Sequence, residues 1–144
     1  MLSKSNDPIV FPGSEVTLLY FSASWCGPCK VFTPQLTAFY RALRDEGVPE
    51  SDCEIVFVSS DRSLPEFKSY YEPMPWGRLS FEERDEKNRL ASLFDVTSIP
   101  AVVAVDRHGK RINCAPRLEI AKWATGQWVM SSATELLAKW KKDL

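Results

Sequence analysis

The residues of this 144-residue chain best suited to chemistry are Cys26 and Cys29, held apart by Gly27 and Pro28. An apolar run from Val16 to Phe21 leads into the pair, and a stretch of helical periodicity follows it. That placement sets Cys26 at the end of a buried strand and at a helix N-terminus. There, unpaired backbone N–H groups and the helix dipole favour a thiolate. Cys29 falls one turn inside, within reach of a sulfur bonded to Cys26. Lowering a thiol pKa from ~8.5 to ~7 is worth about 2 kcal/mol and raises the thiolate fraction at neutral pH from a few per cent to roughly half. The pattern assigns Cys26 as nucleophile and Cys29 as resolving thiol in dithiol–disulfide exchange. Trp25 is expected to flank the exposed sulfur, and Pro28 to stiffen the turn.

The same pair has two blander readings, as zinc ligands or as inert buried thiols. A closed zinc site needs two more ligands, and Cys53, Cys114 and His108 are the candidates. None of them stands in a second paired spacing, so the expectation is no metal and no cofactor beyond the thiols themselves. Cys53 and Cys114 lie at strand ends and read as small buried hydrophobes rather than a second redox pair. His108 reads as a solvated turn residue. Trp123 and Trp128, on either side of Gly126, read as core packing.

A second feature sits far along the chain. Ser98-Ile99-Pro100 precedes the apolar strand Ala101 to Val105. Proline is tolerated at a strand's first residue because it lacks an N–H. A cis bond at Ile99-Pro100 is the sharper reading. It would turn the Ile99 backbone outward beside Cys26, where an extended substrate could pair with it.

The elements that must position these residues follow from periodicity. Glu15 to Ser22 and Glu54 to Ser59 read as buried strands. A helix is predicted from Pro28 to about Glu46, with Val31, Phe32, Leu36, Phe39, Tyr40 and Leu43 inward. Pro34 should kink it, and Gly47-Val48-Pro49 should stop it. Further helices are predicted at Leu64 to Tyr71 and at Glu82 to Phe94, the latter with Leu90, Leu93 and Phe94 inward. Ala101 to Val105 and Arg111 to Cys114 read as a hairpin around Arg107-His108-Gly109-Lys110. A last helix from Ser132 to Lys142 takes Ser132 or Ser131 as its N-cap and buries Leu136, Leu137 and Trp140. The order is that of an α/β protein with a central mixed sheet covered by helices on both faces, here a single domain over residues 1–144.

Composition bounds the partners. Eighteen basic against nineteen acidic side chains give a net charge of −1, with no basic stripe for phosphate, so nucleic acid is not an expected partner. Val16 to Ala23, the most apolar stretch, is too short to span a bilayer, and Met1 to Gly13 lacks the apolar core of a secretory signal. No membrane partner is expected, and the expected location is the cytoplasm. Nothing demands more than a monomer.

Trp25-Cys26-Gly27-Pro28-Cys29-Lys30 together with Ile99-Pro100 resembles the thioredoxin superfamily. Tyr20 to Cys26, Phe32-Thr33-Pro34-Gln35-Leu36, Phe39-Tyr40 and Met74-Pro75-Trp76 are similar to its tryparedoxin and nucleoredoxin branch. The resemblance runs from about Leu18 to Gly109 and implies the thioredoxin fold and a small reductase of protein disulfides. In tryparedoxins the dithiol trypanothione supplies electrons, which pass to peroxiredoxin-type peroxidases. By the same resemblance, Cys26 and Cys29 form the redox pair, and Trp25, Gly27, Pro28, Ile99 and Pro100 border the substrate groove. The chain departs from the tryparedoxin pattern in three places and from the thioredoxin pattern in a fourth. Gly27 stands where those proteins have proline, and Ser60-Asp61 stands where they have Trp-Asp. Residues 123–130 do not follow the pattern, and Tyr20 replaces the buried acid that thioredoxins place six residues before the first cysteine. Two other readings follow from the resemblance: a thioredoxin reset by a flavoprotein reductase, and a redox-sensing binding protein of nucleoredoxin type. The Gly-Pro spacer implies a reducing potential of roughly −230 to −270 mV.

Overall fold

Two parallel strands and an antiparallel neighbour run through the middle of the molecule. The computed structural model describes residues 1–127, 132–142 and 144. In chain order the elements are β1 (Val16–Ser22), α1 (Gly27–Asp45), β2 (Cys53–Ser59), α2 (Leu64–Tyr71), β3 (Gly77–Arg78), α3 (Arg84–Leu93), β4 (Ala101–Asp106), α4 (Pro116–Ala124) and α5 (Ala133–Lys141). The sheet order is β3-β2-β1-β4. β1 pairs in parallel with β2, from Val16 opposite Cys53 to Ser22 opposite Ser59. It pairs antiparallel with β4, from Val16 opposite Asp106 to Phe21 opposite Ala101.

β1 is an unbroken apolar run because both of its faces are covered. Leu18 and Tyr20, with Ile55 and Phe57 of β2, point into the larger core, which α1, α2, α4 and α5 close. Leu19 and Phe21, with Val56 and Val58, point the other way, where Leu90 of α3 and Phe94 cover them. The two-sided covering bears out the thioredoxin architecture. Aromatic side chains dominate the larger core. Trp140 packs on Phe39 at 5.5 Å between ring centres, and Trp76 meets Tyr40 at 5.7 Å and Tyr20 at 6.2 Å. Trp76 therefore anchors the Met74-Pro75-Trp76 loop in the core, and half-buried Trp123 stands edge-on to Phe39.

Helix α1 begins with Pro28 in its first turn, where a missing N–H costs nothing. It runs on as one helix through Pro34, which removes one backbone hydrogen bond without dividing the element. Gly47 follows the C-cap with φ +87°, a conformation that favours glycine, and the Val48 N–H bonds back to the Leu43 carbonyl.

Several expectations need correction. Arg111 to Cys114 is not a strand: it makes one bridge, Val105 to Arg111, around a turn in which Asp106 accepts from the His108 and Lys110 N–H groups. The carboxylate closes the turn, so no second ladder is needed. Helix α4 and the short strand β3 are elements that the sequence periodicity does not predict. Val31 and Leu93 face solvent, at 68% and 61% exposure, because the inward stripes of α1 and α3 pass beside them. Ser132 caps α5 by accepting from the Glu135 N–H at 3.1 Å. Trp128, Met130 and the alternative cap Ser131 lie outside the described residues.

Candidate active site

The carboxyl end of β1 delivers the chain to the dithiol. Ala23, Ser24 and Trp25 form the connection, and the Cys26 N–H bonds to the Ala23 carbonyl at 3.2 Å. Cys26 is the N-cap of α1: its Sγ accepts from the Cys29 N–H at 3.2 Å. A helix N-terminus is short of acceptors, so a sulfur that carries charge is favoured there. Cys26 and Cys29 are joined as a disulfide with Cα atoms 5.2 Å apart. Cys26 retains 6% exposure and Cys29 none, so an incoming sulfur meets Cys26 first. The Cys26 Sγ lies 3.8 Å from the Ile99 carbonyl oxygen, across the loop that precedes β4. The Ile99–Pro100 peptide bond is cis. Gly27 and Pro28 are exposed at the helix tip, Trp25 is 47% exposed, Ile99 is half-buried and Pro100 buried. A Cβ at Gly27 would meet open space, so crowding does not require glycine at this position.

The carboxyl end of β2 supports the loop from below. Asp61, 4% exposed, accepts from the Ser24 N–H at 2.8 Å, the Ser24 hydroxyl at 2.6 Å and the Ser59 hydroxyl at 2.8 Å. The Trp25 indole N–H donates to the Ser60 carbonyl at 3.2 Å. Arg84 of α3 donates to the Ser59 carbonyl at 2.8 Å and to Phe81 at 2.5 Å. Burial lowers the Arg84 pKa, and Asp61 and Glu82 pull it back up. In the sequence Ser60-Asp61 registers only as a departure from the Trp-Asp of tryparedoxins, and the role of Asp61 as a support is missed. An acid placed directly after an apolar strand was the available signal, since such a residue is buried only with partners.

Behind the dithiol lies a chain of hydroxyls. The Tyr20 hydroxyl is 2.6 Å from Thr33 Oγ1 and donates to the Cys29 carbonyl at 3.4 Å. Thr33 Oγ1 is 2.9 Å from the Tyr70 hydroxyl, which is 2.8 Å from Ser22 Oγ. Burial pushes the Tyr20 pKa far above its ordinary value, partly offset by bonds to Ser22 and Thr33. Tyr20 therefore stays a neutral phenol at physiological pH, and cannot take up the proton of Cys29.

The remaining candidates stand apart. Cys53 begins β2 at the opposite end of the strand, fully buried, with its thiol pushed up to about 12 by that burial. Cys114 is half-buried, and His108 is exposed in its turn.

A strand, a Cys-x-x-Cys at the head of the next helix, and a proline loop facing the outer sulfur together define a thiol–disulfide oxidoreductase of the thioredoxin fold. The chain belongs to the thioredoxin-like family, whose profile matches residues 13–111. It is 46% identical over 95 residues to probable nucleoredoxin 1 of Arabidopsis thaliana, covering 66% of this chain and 16% of that protein. It is 39% identical over 109 residues to the tryparedoxin of Trypanosoma brucei brucei, covering 74% of this chain and 72% of that one. The chain thus spans about a quarter or less of the nucleoredoxins it matches but most of the tryparedoxin. Among solved structures, tryparedoxin II from C. fasciculata superposes with a TM-score of 0.74 at 37% identity, covering 85% of this chain and 83% of that one. Tryparedoxin II complexed with glutathionylspermidine gives 0.70 at the same identity, over 83% and 81%.

Proposed function

We propose that this chain is a protein-disulfide reductase of tryparedoxin type. It passes two electrons from a low-molecular-weight dithiol, such as trypanothione, to protein disulfides such as those of peroxiredoxin-type peroxidases. The observation that supports it most is the asymmetry of the pair, with Cys26 capping α1 at the surface and Cys29 wholly buried behind it.

In the cycle, the Cys26 thiolate attacks one sulfur of the client disulfide and the other leaves as a thiolate. Cys29 then loses its proton and attacks the Cys26 sulfur, releasing the second client sulfur. The client gains two electrons and two protons, and Cys26–Cys29 becomes a disulfide. A donor dithiol reverses this by attacking Cys26, forming its own disulfide in turn. Trp25, Gly27, Pro28, Ile99 and Pro100 border the path of approach.

The test is to oxidise the protein and time its reduction by trypanothione, beside NADPH with a thioredoxin reductase. Fast reduction by trypanothione alone supports the tryparedoxin reading, and preference for the flavoenzyme replaces it with an ordinary thioredoxin. The 46% identity to a segment of a plant nucleoredoxin favours a second reading, a binding protein gated by the dithiol. A Cys29→Ser trap separates them: a reductase captures several clients as mixed disulfides, whereas a gated binder captures one.

A further inference from the structure

Trp25 and Ile99, the two residues that bracket Cys26, also line a groove of about 380 Å³ that runs away from the sulfur across the α3 face. Its floor is apolar, made by Phe21, Ala91 and Val96, and the single charged side chain in its lining is Lys87 of α3. The exposed Arg62 lays its guanidinium over the ring of Trp25, itself a wall of the groove, 4.8 Å from the ring centre. Among the described residues neither cation has a carboxylate partner. Two acids adjacent to them in sequence are committed elsewhere, Asp61 accepting from Ser24 and Ser59 and Glu86 paired with Arg89. Lys87 is half-buried, and burial together with nearby Arg84 lowers its pKa. Both effects mark a cation that gains from an incoming anion.

We propose that Lys87 and Arg62 select disulfide partners bearing a carboxylate within one or two residues of the reacting sulfur. The segment lies in the groove with its apolar part on Phe21 and Val96. Its carboxylate reaches Lys87 while the sulfur faces Cys26. This rests on the reductase reading above and specifies its substrate class. The net charge of the chain, −1, gives no such preference, so the selection is local. The exchange step is unchanged: Cys26 takes one sulfur of the partner, the other leaves as thiolate, and Cys29 completes the two-electron transfer.

The test uses the reduced full chain and three small disulfides of similar size, anionic dithiodiglycolate, cationic cystamine and neutral bis(2-hydroxyethyl) disulfide, with glutathione disulfide as a larger anionic probe. A disulfide-bridged peptide with Asp beside one cysteine, and its Asn counterpart, form a second arm. Wild type should prefer the anionic over the cationic probe by at least ten-fold at low ionic strength. Lys87→Gln and Arg62→Gln should each slow the anion about three-fold and speed the cation by a similar factor, an effect that salt erases. The neutral probe should stay within about two-fold throughout. Dependence seen with glutathione disulfide alone assigns the site to low-molecular-weight partners, and dependence seen with the Asp peptide assigns it to protein clients. A wild-type preference below two-fold, or one that survives both substitutions, overturns the proposal. Failure of wild type to turn over even the neutral probe strikes instead at the reductase reading.

Discussion

The two ends of β2 stand beside cysteines of opposite fate. At its start, Cys53 is sealed in the core and its thiol is pushed up to about 12. At its finish, Ser59, Ser60 and Asp61 hold up a loop whose own cysteine is a helix cap within reach of solvent. Reactivity therefore follows position. A thiol is made reactive by free N–H groups and access, and made inert by removal from both. The parallel strands β1 and β2 expose only their carboxyl ends to this use, which is where open α/β sheets generally hold their sites.

The contrast breaks most visibly if the cysteines are exchanged for serine one at a time. Cys26→Ser should reduce disulfide exchange by more than about 10³-fold, whereas Cys53→Ser should leave the rate per folded molecule within two-fold. Turnover assays on both variants, corrected for folded fraction, check this. Comparable losses in both would mean that position does not decide reactivity.

The next largest effect concerns alkali. An unfolded thiol titrates near ~8.5, whereas Cys53 in the folded state holds its proton to about 12. Between these values the unfolded state binds fewer protons, so stability falls as pH rises, by up to about 1.4 kcal/mol per pH unit. Urea denaturation at pH 8 and pH 10.5 should show wild type losing about 2 kcal/mol more than Cys53→Ala. Equal losses would show that burial at this end does not set the thiol's behaviour.

Asp61 sharpens the other end. Asp61→Asn keeps an acceptor for Ser24 but removes the charge from bonds at 2.6 and 2.8 Å, costing about 1.5 kcal/mol. Denaturation should show that loss together with slower exchange, because the loop bearing Cys26 is loosened. The smallest effect is expected at the cap of α2, where the Ser63 hydroxyl accepts from the Glu66 N–H. Ser63→Ala should cost about 1 kcal/mol in the same denaturation series and leave exchange unchanged.

The dithiol, the central strands and the long first helix were legible because each carries a local signal. Cys26 and Cys29 stand at a strand–helix junction, and β1 and β2 are apolar runs of strand length. Ser132 and Gly47 mark helix ends by their own chemistry. What escaped depends on partners distant in sequence. Helix α4 buries only Pro116, Glu119 and Ile120. Its inward face carries an acid, which periodicity reads as solvent-facing. In the fold Glu119 accepts from the Ala115 N–H and the Trp140 indole and pairs with Lys139 at 2.5 Å. β3 has two residues, too few for any alternation to register. Asp61 was passed over for a similar reason. Its partners Ser24 and Ser59 come from two different strand ends, which only the parallel register brings together.

That register leaves β3 and β4 as the outer strands, and both are blunted. Leu2 exchanges two backbone hydrogen bonds with Arg78, each 2.8 Å, so the N-terminal segment lies along β3 like a selvedge. The fit is close: a Cβ on Gly77 would come within 2.5 Å of the Leu2 carbonyl oxygen. On β4, the Ile112 N–H bonds to Ala104 and the Asp106 N–H to Lys110, which leaves at most Ala101 to Val103 unbordered. Exposed edges are the usual template on which one sheet recruits another and aggregation begins. A molecule that carries an exchangeable disulfide at its surface is thereby guarded against zipping onto other chains, or onto its own copies, strand to strand.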